Sequence, residues 1–350
     1  MTSTRITGVR LSALACAVPS QEIKIASKAK DFGEDVVRKI SLSTGISAIR
    51  QTTADQTTAD LCMAAAERIF ADQPELREQI DSVVFVTQTP DYRIPATACT
   101  LQNRLKLPST SAAFDVNLGC SGYVYALWMA SGLVKSGLAS KVLLLVGDTI
   151  TKTISPNDRS VALIFGDAGS ATILSKSDDT DDGFFFSMGT DGSGFEDIII
   201  RAGGYRPLTC TNSDKDAAKT NGDYALKMDG SAVFEFTQSR VVESIKQLFL
   251  DSGVAPEKVD HFVPHQANKL LLGHMTSKIG LPREKLVLGL GNFGNTSCTS
   301  IPLALITNCR DNISDSKGKH FLLSGFGVGL SWGSALGRIA NVSTYPLVEI

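Results

Sequence analysis

No stretch of this sequence stays apolar for the roughly 18 residues that a membrane-crossing helix needs, so no membrane span is expected. Neither sign of charge is in excess. The chain has 34 Lys and Arg against 36 Asp and Glu, for a net charge of −2. That balance argues against the basic face of a general nucleic-acid binder, so no nucleic-acid partner is expected. Seven cysteines in 350 residues include no C-x-x-C pair. Neither a disulfide framework nor a zinc site is indicated, and no metal is expected. Residues 1–20 hold Arg5 and Arg10 but no continuous apolar stretch, so they do not read as a signal peptide. A reducing cytoplasm is the expected compartment. What is present is core material. The composition is 43% hydrophobic and 20% charged, too apolar for a disordered chain. The length alone allows two or three domains.

Short apolar, β-branched runs alternate with longer helical patterns, which is the α/β class. Residues 82–87 and 141–146 are continuous apolar runs of the kind found in strands covered on both faces. Residues 121–134 between them read as a helix, followed by Gly137. The second half follows the same plan, with strands expected at 260–264 and 320–325. From Gln88 to Cys120 is 32 residues, and from His265 to Ser297 is 32 again. From Cys120 to Gly147 is 27, and from Cys298 to Gly325 is 27. Two α/β units of constrained length can coincide in this way, but the order of elements matches as well. The spacing predicts two tandem halves, residues 1–175 and 183–350. The acidic run 178–182 at their join reads as a solvated loop, and the polar stretch 209–221 as a surface loop.

Three turns carry candidate chemistry. Cys120 sits in Asn117-Leu118-Gly119-Cys120-Ser121-Gly122, after a strand and at the start of a helix. A helix N-terminus favours a thiolate, so this position predicts a lowered thiol pKa. A cysteine among small residues is also commonly an inert filler. His265 follows a strand in Val263-Pro264-His265-Gln266-Ala267-Asn268, and a lone histidine is commonly structural. Asn295 lies in Gly291-Asn292-Phe293-Gly294-Asn295-Thr296-Ser297-Cys298, where asparagine is ordinarily a turn former. If the halves are related by a pseudo-twofold, all three turns lie at strand ends that can converge. Cys, His and Asn together form a nucleophilic arrangement. The run Gly325-Phe326-Gly327-Val328-Gly329-Leu330 has no long helix after it, so it is not a dinucleotide fingerprint. Its backbone amides are candidates for an oxyanion hole.

At these residues the chain resembles the thiolase superfamily, and within it the β-ketoacyl-acyl-carrier-protein synthase III family. The resemblance runs along nearly the whole chain. It also takes in Thr89-Pro90-Asp91, Phe165-Gly166-Asp167-Ala168-Gly169, Asp191-Gly192-Ser193-Gly194 and Met228-Asp229-Gly230. It implies a five-layered αβαβα fold of two tandem pseudo-repeats, a homodimer, and decarboxylative Claisen condensation. Acyl-CoA and malonyl-acyl-carrier-protein would be substrates, with no permanently bound cofactor. Cys120 would take the acyl group. His265 and Asn295 would hydrogen-bond the malonyl thioester oxygen, and the amides of Cys120 and Val328 would hold the oxyanion. Arg159 matches a CoA contact, Lys269 lies where acyl carrier protein docks, and Ile94 resembles the residue that caps the partner's acyl pocket.

The chain departs from the family pattern in four places. Residues 37–46 lack the tryptophan that clamps the CoA adenine. Glu235 stands where a basic residue is common. Val328 replaces a glycine, and aliphatic Ile94 replaces a large aromatic, which could admit a longer or branched primer. These departures point towards a specialised pathway. The alternative function is a non-decarboxylating acyltransferase of the same fold, passing the acyl group to an amine or hydroxyl. Asn295 argues against it, because plain acyl transfer needs no enolate-stabilising pair. A thiolase would need a second cysteine in the terminal glycine loop, and Cys298, in the Asn295 turn, reads as packing. A catalytically silent subunit would normally lack the nucleophile.

Overall fold

The structure, a computed structural model, describes residues 3–206 and 222–350. The polar stretch 209–221 lies outside the described residues. Two sheets carry the fold. The first orders its strands Ser343–Thr344, Val9–Val18, Ala168–Lys176, Lys141–Asp148, Ser82–Val86 and Ala112–Val116, with Val348–Glu349 also pairing to Val9–Val18. The second orders Thr4–Thr7, Gly183–Thr190, Ser331–Ile339, Lys319–Gly327 and His261–Pro264.

The two sheets share a pairing pattern. Lys141–Asp148 runs parallel to Ser82–Val86 and antiparallel to Ala168–Lys176. Lys319–Gly327 runs parallel to His261–Pro264 and antiparallel to Ser331–Ile339. The chain ends cross over. Thr4–Thr7 joins the second sheet, and the two short C-terminal strands join the first.

Helices cover every sheet face, which explains the unbroken apolar runs. Leu143 and Leu145 pack outward against helices Thr58–Asp72 and Thr97–Arg104. Leu144 and Val146 point inward, into a cluster with helices Gly122–Lys135 and Ser300–Asn308 and with Phe321 and Leu323 of the second sheet. Leu322 and Leu336 face the other way, against helices Val242–Ser252 and Lys269–Ile279. The layers therefore run helix, sheet, helix, sheet, helix. The ends of these helices follow from local sequence. Thr57 and Asp60 form a capping box on Thr58–Asp72. Asn268 caps Lys269–Ile279 by accepting from the Leu271 N–H, and Gly280 closes it at φ 83°.

The expected strands are all present, with shifted ends. The 141–146 expectation extends to Asp148 because Gly147 and Asp148 still pair with Gly169 and Ala168. The acidic run 178–182 connects strands Ala168–Lys176 and Gly183–Thr190 and is mostly exposed.

Candidate active site

Cys120, His265 and Asn295 line one narrow cavity of about 90 Å³, together with Ser297, Gly327 and Val328. Its walls are apolar, with Ile150, Phe165, Leu226, Met228 and Phe326 among them. Each polar side chain arrives from the end of a strand or a tight turn. Cys120 follows strand Ala112–Val116 and precedes helix Gly122–Lys135, whose cap is Ser121. His265 directly follows strand His261–Pro264, and its N–H donates to the Ser324 carbonyl at 2.7 Å. Asn295 is held by two backbone bonds. Its N–H donates to Ile164 O at 2.8 Å, and its carbonyl accepts from the Gly166 N–H at 3.1 Å. The Phe165-Gly166-Asp167 motif thus fixes the Asn295 turn.

The glycine run is the hairpin between strands Lys319–Gly327 and Ser331–Ile339. It lies directly on the cysteine. A side chain at Gly327 would place its Cβ 2.8 Å from Cys120 Cβ, and Gly327 has φ 153°. Only glycine allows this approach. Ser331 ties the hairpin to the cysteine turn. Its hydroxyl donates to Val328 O at 2.7 Å and meets the Ser121 hydroxyl at 2.7 Å. Val328 has no positive φ, so the flanking glycines absorb the turn and the β-branched residue is accommodated.

The electrostatics differ from the sequence expectation. Burial pushes the Cys120 thiol up to about 12, and the Asp148 carboxylate adds to the rise. The Ser297 hydroxyl and the amides of Cys120 and Val328 oppose it. The helix N-terminus therefore does not dominate. Cys120 precedes the cap itself, and the sulfur faces an apolar pocket with the Asp148 carboxylate near it. His265 is buried and held down at about 4 by desolvation, against the pull of a hydrogen bond to the Ser297 backbone. The ring is neutral at pH 7. Its Nδ1 meets the Ser300 hydroxyl at 2.8 Å, and its edge meets the Phe326 ring with centroids 5.5 Å apart.

Asn295 Oδ1 accepts from the Ser297 N–H at 3.0 Å. Its Nδ2 has no protein partner among the described residues. Cys298 is buried and its thiol donates to Asp148 Oδ2 at 3.3 Å. The other predicted contacts lie outside the cavity. Lys269 is exposed, on a groove with Leu42, Leu270, His274 and Arg283. Arg159 is exposed, and Ile94 is 81% exposed.

Sequence reasoning missed Ser297, Ser300 and Asp148. Asp148 carried a signal, as a lone charge at the end of an apolar strand. Ser297 carried another, since the 32-residue spacing makes it the counterpart of Cys120.

Comparison with known proteins identifies the family. The family model described as 3-oxoacyl-[acyl-carrier-protein] synthase III matches residues 114–192, and its C-terminal companion matches residues 250–339. A β-ketoacyl-[acyl-carrier-protein] synthase III of Clostridium perfringens is 32% identical over 307 residues, covering 88% of this chain and 92% of the relative. The crystal structure of a 3-oxoacyl-(acyl-carrier protein) synthase from Burkholderia xenovorans LB400 superposes with a TM-score of 0.94 at 37% identity, over 100% of this chain and 99% of that one. The priming β-ketosynthase of the R1128 polyketide pathway superposes with a TM-score of 0.81 at 25% identity, over 97% and 98%. The chain thus belongs to the β-ketoacyl-acyl-carrier-protein synthase III family of the thiolase superfamily, and it is an acyl-transferring condensing enzyme of that type.

Proposed function

We propose that Cys120 accepts an acyl group from a thioester, and that His265 and Asn295 then direct decarboxylative condensation with malonyl-acyl-carrier-protein. The supporting observation is the orientation of Asn295. The Ser297 N–H occupies its carbonyl oxygen, so its NH₂ is the end left for a substrate oxygen. In the tautomer where His265 Nδ1 accepts from the Ser300 hydroxyl, the neutral ring carries its one proton on Nε2 and would supply a second donor. Two neutral donors aimed at a thioester oxygen suit the enolate left when CO₂ departs, in a narrow apolar pocket where fixed donors count most. The amides of Cys120 and Val328 lie against the sulfur and would hold the oxyanion of acyl transfer.

Several finer assignments rest on the same reading. Arg159 would contact CoA, although residues 37–46 carry no tryptophan to clamp the adenine. Lys269 would steer an acidic carrier protein. A homodimer fits the exposed Tyr92 and Ile94 and the unpaired outer edge of strand Ala112–Val116, with Ile94 capping the partner's pocket. The two halves, 1–175 and 183–350, would fold only together, because each contributes terminal strands to the other's sheet. Among the described residues no helix is long and apolar enough to cross a membrane. A cytoplasmic location belongs to the same reading and rests on the reduced-thiol expectation from the sequence. Likeness to a polyketide-priming synthase supports a specialised pathway.

Two measurements test the reading. The protein is incubated with a panel of acyl-CoA and acyl-carrier thioesters, and intact mass reports the acyl group added at Cys120. Labelled malonyl-acyl-carrier-protein then reports CO₂. Acyl transfer to an amine or hydroxyl without CO₂ release would establish the plain acyltransferase instead.

A further inference from the structure

Among the described residues, the polar side chains that line the Cys120 cavity are Gln88, Cys120, His265, Asn268, Asn295 and Ser297. Cys120, His265, Asn295 and Ser297 belong to the site already described. Asn268 is engaged elsewhere, since its Oδ1 accepts from the Leu271 N–H at 2.8 Å and caps a helix. Gln88 is the one left without a role, in a cavity whose other walls are apolar.

Local structure fixes where Gln88 points. Strand Ser82–Val86 ends two residues before it. The Gln88 N–H donates to Asp148 Oδ1 at 2.7 Å, and the Thr87 hydroxyl donates to the same oxygen at 3.0 Å. The backbone is thereby pinned to the buried end of strand Lys141–Asp148. The side chain then lies across the cysteine turn. A Cβ on Gly119 would overlap Gln88 Oε1 and come within 3.1 Å of its Cδ. The same point lies 3.7 Å from Ser297 Oγ, so the amide sits at the reacting end of the cavity. Glycine in the position before the nucleophile is what makes room for it.

The two ends of the amide are not used alike. Its Nε2 donates to Asn117 Oδ1 in a long bond of 3.4 Å, which sets the orientation of the group. No group among the described residues donates to its Oε1. A polar group in an apolar cavity costs free energy unless its hydrogen bonds are made. Ligand pockets use a few such groups to fix orientation and give specificity. Consecutive Cα atoms are about 3.8 Å apart, so an oxygen packed on Gly119 lies within a few carbons' reach of an acyl group on Cys120.

We propose that Gln88 selects the acyl primer, its Oε1 accepting a hydrogen bond from a hydroxyl a few carbons along the chain, so that the primer class is a short hydroxyacyl thioester. The inference rests on Cys120 being the acyl acceptor. A carbonyl oxygen only accepts, so the primer must bring the donor. A hydroxyl is the smallest uncharged donor an acyl chain can carry, and a charged one would be stripped of water against apolar walls. A plain alkanoyl chain would leave the oxygen unpaired.

The test compares primers that differ by one hydroxyl. The full chain is incubated separately with butyryl-, 3-hydroxybutyryl- and 4-hydroxybutyryl-pantetheine, which share the arm common to CoA and carrier protein. Intact mass follows the acyl group added at Cys120 over time. The wild type is expected to load at least one hydroxybutyryl group about 10–100-fold faster than butyryl, because a site built to bond a hydroxyl rejects the analogue that lacks it. Gln88→Leu is expected to bring that ratio near one. Equal rates in the wild type overturn the assignment, as does a ratio that survives in Gln88→Leu. A variant that slows all the primers alike shows a structural role and overturns it too. If Gln88→Leu does not fold, Gln88→Met decides the outcome by the same ratio. If no thioester labels Cys120, the acyl-acceptor reading falls and takes this inference with it. Loading at the expected ratio without CO₂ release from malonyl carrier counts against condensation alone.

Discussion

The Ser297 N–H donates to Asn295 Oδ1 at 3.0 Å, and this bond leaves the NH₂, unpaired among the described residues, as the end of the amide beside the cavity. Asn295→Asp keeps an oxygen for Ser297 and removes the NH₂ donor. Malonyl decarboxylation should fall about 10²–10³-fold. Acyl loading of Cys120 should fall far less, because in the proposed mechanism the oxyanion of that step would face the amides of Cys120 and Val328. Labelled CO₂ release and intact mass, measured on the same sample, separate the two. Equal losses in both would refute the assignment.

His265 should make stability depend on acid. Its folded pKa, about 4, lies below the ordinary 6.5 because burial penalises the charged ring. The unfolded chain therefore binds a proton first as pH falls. Above 6.5 both states are neutral and the group has no effect. From 6.5 down to 4 the folded state loses stability, by about 3 kcal/mol in total. Urea denaturation of wild type and His265→Gln across pH 4–7 isolates this contribution, which the variant should lack. The same neutrality predicts no limb near pH 6.5 in the decarboxylation profile.

Much of this arrangement was legible in the sequence. Strands such as Lys141–Asp148 were visible because helices cover both faces and force an unbroken apolar run. Cys120 and His265 were visible because each is polar chemistry in a turn after a strand; Asn295 was visible through its Gly-rich turn, although no strand leads into that turn and Asn295 makes only an isolated bridge to Phe165. The terminal strands were not. Thr4–Thr7 and Ser343–Thr344 are too short to show a period, and their sheet is set by where distant chain ends meet. The thiol pKa also escaped. A helix start can be read locally, but the burial of the sulfur and the nearness of Asp148 depend on the assembled sheets.

Gly327 offers a steric test of the oxyanion amides. An alanine there would put Cβ 2.8 Å from Cys120 Cβ and 3.2 Å from its sulfur, at a φ of 153°. The hairpin must shift, and the following Val328 N–H moves with it. Gly327→Ala should cut acyl loading about 10²–10³-fold. Mass labelling of Cys120 over time measures it. Loading at the wild-type rate would remove Val328 from the oxyanion role.

Lys269 begins the helix Lys269–Ile279 and projects at an exposed groove shared with Arg283. Reversing its charge should weaken encounter with an acidic carrier and leave the chemistry alone. Lys269→Glu is expected to lower kcat/KM for malonyl carrier about tenfold at low salt, through encounter rate. The gap from wild type should narrow as salt is added. Malonyl-pantetheine, which carries no protein, should show a much smaller loss. Equal losses on both substrates would move carrier docking elsewhere.

Ile94 is 81% exposed and aliphatic where a cap on the partner's acyl pocket is expected. A side chain so apolar and so exposed would suit burial in the proposed dimer, in which each subunit would close the other's cavity. If it sets pocket depth, a larger ring at the same place should shorten the pocket and leave the nucleophile untouched. Ile94→Phe should therefore retain acetyl loading and lose longer or branched primers by about 10–200-fold, the range that extra methylenes command in an apolar pocket. A chain-length series of acyl thioesters, read by the mass added at Cys120, makes the comparison. An unchanged preference along the series would detach Ile94 from primer selection, and a uniform fall at every length would point to a damaged dimer instead of a shallower pocket.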